Sequence, residues 1–133
     1  MKILVAGSGG WGTALAMTLL ENGHEVTLWS YCEEESRGLR TTLTNPFLPD
    51  VALPEALCYT SDAAAAEDCD LVVFATPSFA VRATARTFKT HLRADAVLVS
   101  VTKGIEEGSG KRMSELVAEE TGRTVVALSG PSH

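Results

Sequence analysis

The chain has 133 residues, room for one domain with a proper core. Its hydrophobic content of 45% and charged content of 21% are those of a globular protein. The net charge of −6, with Lys and Arg scattered, argues against a nucleic-acid surface. No apolar run approaches the ~20 residues that cross a bilayer, and glycines interrupt the first apolar stretch too early for a signal peptide. Cys32, Cys58 and Cys69 show no C-x-x-C spacing and no metal-ligand pattern, so they read as free thiols of a reducing cytoplasm, with Cys58 expected buried in a strand.

In chain order, Lys2–Ala6 reads as a first strand. It runs into Gly7-Ser8-Gly9-Gly10-Trp11-Gly12, a G-x-G-x-x-G turn, and then an apolar helix over Thr13–Leu20. Strand, glycine turn and helix in this order carry a dinucleotide diphosphate. Gly7 permits the turn, Gly9 lets the backbone approach the phosphates, and Gly12 lets the helix lie close to the sheet. Free N–H groups and the positive helix end then face the anion. A purely structural turn is the competing reading.

Glu25–Ser30 is the second strand. An Asp or Glu at its end would hold the adenosine ribose and repel a 2′-phosphate, but the strand ends Leu28-Trp29-Ser30-Tyr31. Glu33, Glu34 and Glu35 follow slightly later and read as the solvated first turn of a helix. Arg37 or Arg40 could meet a 2′-phosphate. Thr41–Pro54, broken by Pro46, Pro49 and Pro54, reads as an ordered loop beyond the second strand.

Further strands are expected over Leu57–Thr60, Leu71–Ala75, Ala96–Val101 and Val125–Leu128. The continuously apolar runs 71–75 and 97–99 predict strands covered on both faces, as in a parallel sheet. Asp62–Asp68 is a short alanine-rich turn or helix. Phe79–Leu92 places Val81, Ala85, Phe88 and Leu92 on one helical stripe, started by Pro77 and Ser78. Met113, Leu116 and Val117 make a similar face on a helix capped by Ser109. This alternation predicts a single α/β domain over 1–133, Rossmann-like and doubly wound, with a mainly parallel sheet and helices on both faces.

Ligands in such sheets sit outside the carboxyl ends of the strands. Ala75-Thr76-Pro77-Ser78 closes the fourth strand there, and Thr102-Lys103-Gly104 closes the fifth, where Lys103 can present a cation to a phosphate or substrate oxygen. An ordinary strand-to-helix turn and an exposed loop lysine would look the same. Ser129-Gly130-Pro131-Ser132 offers small residues and hydroxyls at the same rim. His24, His91 and His133 receive no acid–base role, and no Ser–His–Asp pattern is present.

Several motifs in order give a more specific signal. Gly7-Ser8-Gly9-Gly10-Trp11-Gly12-Thr13-Ala14-Leu15-Ala16, Asn22-Gly23-His24-Glu25-Val26, Leu28-Trp29 and Asn45 with Phe47-Leu48-Pro49 come first. Thr102-Lys103-Gly104-Ile105-Glu106 and Leu128-Ser129-Gly130-Pro131-Ser132 follow. Together they resemble the bacterial NAD(P)-dependent glycerol-3-phosphate dehydrogenases, over essentially the whole chain. The resemblance implies reversible reduction of dihydroxyacetone phosphate to sn-glycerol 3-phosphate for phospholipid synthesis, with NAD or NADP as cofactor. To the candidate cofactor contacts already read from the glycine turn and strand ends, Gly7, Gly9, Gly12 and Pro77, it adds Gly10, Trp11, Tyr31 and Lys103. Lys103 is shared with the substrate, which Gly130 and Ser132 also touch. Tyr31 stands where the family often places Arg or His, a departure that leaves the NAD/NADP preference open.

The resemblance further implies that hydride passes to the ketone carbon while a lysine of a second, helical domain protonates the alkoxide. That domain would follow the S-G-P-S motif, so no catalytic residue is expected in this chain and the fragment should not turn over. No metal, membrane insertion or nucleic-acid partner is expected; a cytoplasmic location and a possible homodimer are. Two other readings compete: the cofactor domain of a related two-domain dehydrogenase such as a ketopantoate reductase or hydroxyacyl-CoA dehydrogenase, and a non-catalytic nucleotide-sensing regulatory domain. The latter has no need of Lys103 or the Ser129–Ser132 rim.

Overall fold

Strand β1 (Lys2–Ala6) is buried from Ile3 to Ala6 and occupies the middle of a six-stranded sheet. The structure is a computed structural model that describes residues 1–128. The other strands are β2 (Glu25–Trp29), β3 (Cys58–Thr60), β4 (Leu71–Phe74), β5 (Val97–Ser100) and β6 (Val125–Ala127). Their order is β3-β2-β1-β4-β5-β6, and every pairing is parallel. The chain builds outward from β1 to β3, then returns to the other side of β1 and builds outward again. Strand order therefore reverses between β1 and β4, which opens a crevice at their carboxyl ends.

The period-2 geometry of a strand sends alternate side chains to opposite faces, and both faces are covered. Leu4, Ala6, Val72, Phe74 and Leu98 pack beneath α3 (Val81–Phe88) and α4 (Met113–Thr121). Ile3, Val5, Val26, Leu28 and Val73 pack on the other face, with α1 (Gly10–Glu21) and α2 (Glu33–Thr42). On the first face Phe88 stands edge-on to Trp29 and to Phe74, with ring centroids 5.0 and 6.1 Å apart. The doubly wound parallel architecture is the one the apolar runs predicted.

Several local expectations are corrected. Helix α1 begins at Gly10, three residues before the expected Thr13, because the glycine turn itself supplies its first turn. The segment 79–92 is not one helix: 3-10 turns at Ser78–Ala80 and Lys89–His91 flank α3, and Phe79 is exposed. Its apolar stripe is nonetheless buried through Val81, Ala85 and Phe88. Ser109 does not cap α4. Its hydroxyl donates to Glu106 Oε1 at 2.7 Å, while the Arg112 N–H at the helix start donates to Glu115 Oε1 at 2.9 Å. Cys58 is exposed, since β3 is a sheet edge; Cys69 is the buried cysteine. Glu33, Glu34 and Glu35 do form the first turn of α2.

The proline-broken stretch is also more engaged than an outlying loop. Leu43 leaves α2 in the left-handed region (φ 53°), and the chain turns back to the glycine turn. There the Asn45 amide donates to the Ser8 carbonyl oxygen and the Thr13 hydroxyl, both at 2.9 Å.

Candidate coenzyme cleft

The glycine turn is built by contact with the next strand end. Gly7 has φ +129°, and a Cβ there would lie 2.7 Å from the Ala75 carbonyl carbon and oxygen. A Cβ at Gly12 would overlap the Gly7 carbonyl oxygen, so only glycine lets α1 seat against β1. Gly9 differs. Its backbone is extended (φ −68°, ψ −178°), and a Cβ built on it meets nothing within 4 Å.

That open space belongs to a cleft of about 700 Å³. Four strand ends wall it: Gly9–Gly12 after β1, Ala75–Pro77 after β4, Val101–Lys103 after β5, and Leu128 after β6. Helix α1 starts at this cleft with no side-chain cap and no acidic residue in its first turn. Its leading N–H groups and the positive end of its dipole are therefore available to an anion. Trp11 lies exposed at the rim.

The far walls are braced. The Thr102 hydroxyl donates to the Thr76 carbonyl oxygen at 2.7 Å and ties the ends of β4 and β5 together. After Lys103, the guanidinium of Arg82 grips both oxygens of Glu106 at 2.8 Å and also reaches Glu120 on α4. The Arg82 fork, helped by the Ser109 hydroxyl, holds the Glu106 carboxyl down at about 2. Arg82 is correspondingly held more firmly in its cationic form, first by Glu106 and then by Glu120. Lys103 itself is exposed, on a segment anchored at both sides.

On the β2 side of the turn lies a second groove of about 500 Å³, between α2 and the returning loop. Tyr31, Glu35 and Phe47 are among its walls. It abuts the turn directly: a Cβ at Gly10 would lie 2.6 Å from the Phe47 carbonyl oxygen. Ser8 joins the two parts. Its hydroxyl accepts from Ser30 at 2.8 Å and donates to Glu35 Oε1 at 3.0 Å.

The structure thus brings Gly9, Gly10, Trp11, Gly12, Pro77 and Lys103 to one cleft, with Gly7 behind its floor. Tyr31 lies in the neighbouring groove rather than the cleft. Gly130 and Ser132 fall outside the described residues. The sequence reading overlooked Ser8, Ser30, Glu35 and the tethering role of Asn45. Asn45 had a signal in the N-x-F-L-P motif, whereas Glu35 was hidden among three consecutive glutamates. Arg40 is not free for a phosphate: it donates to the Tyr59 carbonyl oxygen at 3.0 Å and lies 3.4 Å from Glu33.

Among the described residues no group of His, Cys, Asp and Glu is placed to hold a metal ion, and no helix is long and apolar enough to cross a membrane.

Comparison with known proteins accords with this geometry. A glycerol-3-phosphate dehydrogenase [NAD(P)+] of Enterococcus faecalis is 42% identical over 138 residues, covering 99% of this chain and 41% of the relative. Its counterpart in Geobacillus thermodenitrificans is 46% identical over 137 residues, covering 99% and 40%. The chain thus spans about two-fifths of the length of the curated relatives it matches. The crystal structure of glycerol-3-phosphate dehydrogenase from Coxiella burnetii superposes with a TM-score of 0.87 at 33% identity, over 99% of this chain and 41% of that one. A ketopantoate reductase from Ralstonia eutropha reaches a TM-score of 0.77 at 22% identity, over 96% of this chain and 40% of that one, a likeness of fold alone. The sequence profile described as NAD-dependent glycerol-3-phosphate dehydrogenase N-terminus matches residues 2–133, and the chain belongs to that family.

Proposed function

We propose that this chain binds NAD(H) or NADP(H) across the carboxyl edge of its sheet. We propose further that it is the coenzyme half of an enzyme interconverting dihydroxyacetone phosphate and sn-glycerol 3-phosphate. The observation that carries the reading is the uncapped start of α1 facing unfilled space at Gly9. The diphosphate would be held by the N–H groups that open α1. The adenosine half would occupy the groove walled by Tyr31 and Phe47, and the nicotinamide half the cleft beside Pro77, Thr102 and Lys103. Two cavities on either side of one glycine turn suit an extended dinucleotide.

When bound, the coenzyme supplies the reducing equivalent as hydride. The chain's own residues orient and polarise. Lys103, braced through Thr102 and Glu106, sets a cation beside the reacting end, where it attracts the substrate phosphate or a developing oxyanion. Substrate contacts at Gly130 and Ser132, and a proton-donating lysine in the part of the enzyme that the longer relatives carry, complete the proposal. So do a cytoplasmic location and a homodimer.

Titration of the chain with NADH, followed by Trp emission, tests the coenzyme reading because Trp11 lies at the cleft rim. Saturable quenching that disappears in Trp11→Phe is expected. No saturation at millimolar NADH would refute the reading. Reduction of dihydroxyacetone phosphate by the full-length enzyme tests the activity, and Lys103→Ala should lower that turnover by about 100-fold or more.

A further inference from the structure

The coenzyme names of the relatives leave open which of the two dinucleotides this chain takes. The groove beyond β2 carries the answer in its charges. We propose that the chain selects NAD(H) over NADP(H), and that Glu35 is the selecting residue: its carboxylate accepts from the adenosine ribose hydroxyls and repels a 2′-phosphate. The inference rests on the coenzyme reading above.

At the end of β2, where a ribose-binding acid is expected, Ser30 is buried and turned inward to the Ser8 hydroxyl. Ser8 passes its own hydrogen to Glu35 Oε1. The helix that follows β2 thus folds a carboxylate back onto the glycine turn, across 27 positions of sequence. Glu35 stands on the groove wall, and its second oxygen, Oε2, has no hydrogen-bond partner among the described residues. A ribose diol donates two hydrogens and suits a carboxylate with a free oxygen, whereas a 2′-phosphate brings negative charge against it.

Among the described residues no cation on the groove wall offsets that charge. The groove takes Glu35, Gly38, Leu39 and Thr42 from α2, a single stripe of i, i+3, i+4 and i+7. At about 100° per residue, Arg37 lies roughly 200° around the helix from Glu35, and Arg40 roughly 140°. Arg40 is moreover held by the Tyr59 carbonyl and Glu33. Among the described residues, the groove walls include neither Lys nor Arg.

The test is equilibrium binding of NADH and NADPH to the chain, repeated with ADP-ribose and 2′-phospho-ADP-ribose, which lack the nicotinamide. NADH should bind at least about tenfold tighter than NADPH, and the two ADP-riboses should show the same ratio. Glu35→Gln keeps the side-chain shape and should bring the ratio to about threefold or less, mainly by tightening the phosphorylated ligands. Glu34→Gln makes the same change of net charge outside the groove walls and should alter the ratio by less than about twofold. Equal or tighter binding of NADPH by the unaltered chain overturns the inference, as does an unchanged ratio in Glu35→Gln. Binding of both coenzymes without preference would leave the coenzyme reading standing and remove only the selectivity. Binding of neither removes both.

Discussion

Alanine at Gly9 and at Gly12 should have opposite consequences, although the two glycines are three positions apart in one turn. At Gly12 the added methyl overlaps the Gly7 carbonyl oxygen and touches Ala75 Cβ at 3.5 Å. Both neighbours are held by the sheet, so α1 must tilt away and disturb the burial of Thr13 and Ala16. Overpacking of this kind costs about 1–3 kcal/mol, and rigid backbone puts this site at the upper end. In a domain of this size that lowers the melting midpoint by roughly 6–12 °C. At Gly9 the methyl meets nothing, and the extended backbone accepts any residue. Weaker capping by alanine costs up to about 1 kcal/mol, and a stiffer unfolded chain offsets about 0.4–1 kcal/mol of it. The midpoint should therefore barely move. Yet the methyl stands where the diphosphate must approach, and losing one charge-assisted hydrogen bond is worth about 1.5–3 kcal/mol. NADH should bind roughly 10- to 150-fold more weakly to Gly9→Ala. Circular-dichroism melts and fluorescence titrations measure the two effects separately. Gly9→Ala that binds NADH as the unaltered chain does, or Gly12→Ala that melts with it, would refute the reasoning.

Three further outcomes are expected. Burial pushes the Cys69 thiol up to about 11, whereas Cys58 is exposed, so a thiol reagent at neutral pH should label Cys58 in the native chain and Cys69 only on unfolding; native labelling of Cys69, read by peptide mass, would contradict its position. Glu106 is held well below its usual 4.5, so its stabilising contribution is present in full above that pH and is lost as pH falls toward about 2; Arg82→Met should flatten this part of the stability–pH curve in denaturant titrations, and an unaltered curve would mean the pair contributes nothing. Phe88→Ala should cost about 3–5 kcal/mol, because the ring is fully buried between Trp29 and Phe74; a urea midpoint within error of the unaltered chain would place the ring elsewhere.

Much of the fold was legible because the signals were local and strong. The continuously apolar runs 71–75 and 97–99 read as strands of a parallel sheet and became β4 and β5, although Val97 at the start of β5 is half exposed rather than covered. The glycine turn sat between a strand and a helix and did so in the structure. What escaped depended on contacts between distant residues. The helical stripe of Val81, Ala85 and Phe88 was readable, but nothing local showed that tight turns would bound α3 on both sides. The exposure of Cys58 follows from β3 lying at an edge, a matter of strand order rather than composition. Ser109 carries a good capping residue type, yet Glu106 three positions earlier takes its hydroxyl. At the site, the cleft-lining glycines and Lys103 were recognisable from their places at strand ends. Glu35 was not, because its place is fixed by Ser8 across the turn. Asn45 is similar: a loop residue by every local rule, it becomes part of the turn only through Ser8 and Thr13.

The central strand also precedes both of its sheet neighbours in the chain. Its β2 neighbour is complete once Trp29 is synthesised, but its other neighbour, β4, is not made until Leu71–Phe74. For that interval a strand of almost wholly apolar residues, Ile3-Leu4-Val5-Ala6, carries unpaired main-chain groups. Nascent chains of this topology are open to wrong pairing with one another over that stretch. A pause in synthesis between Trp29 and Leu71 would lengthen that exposure.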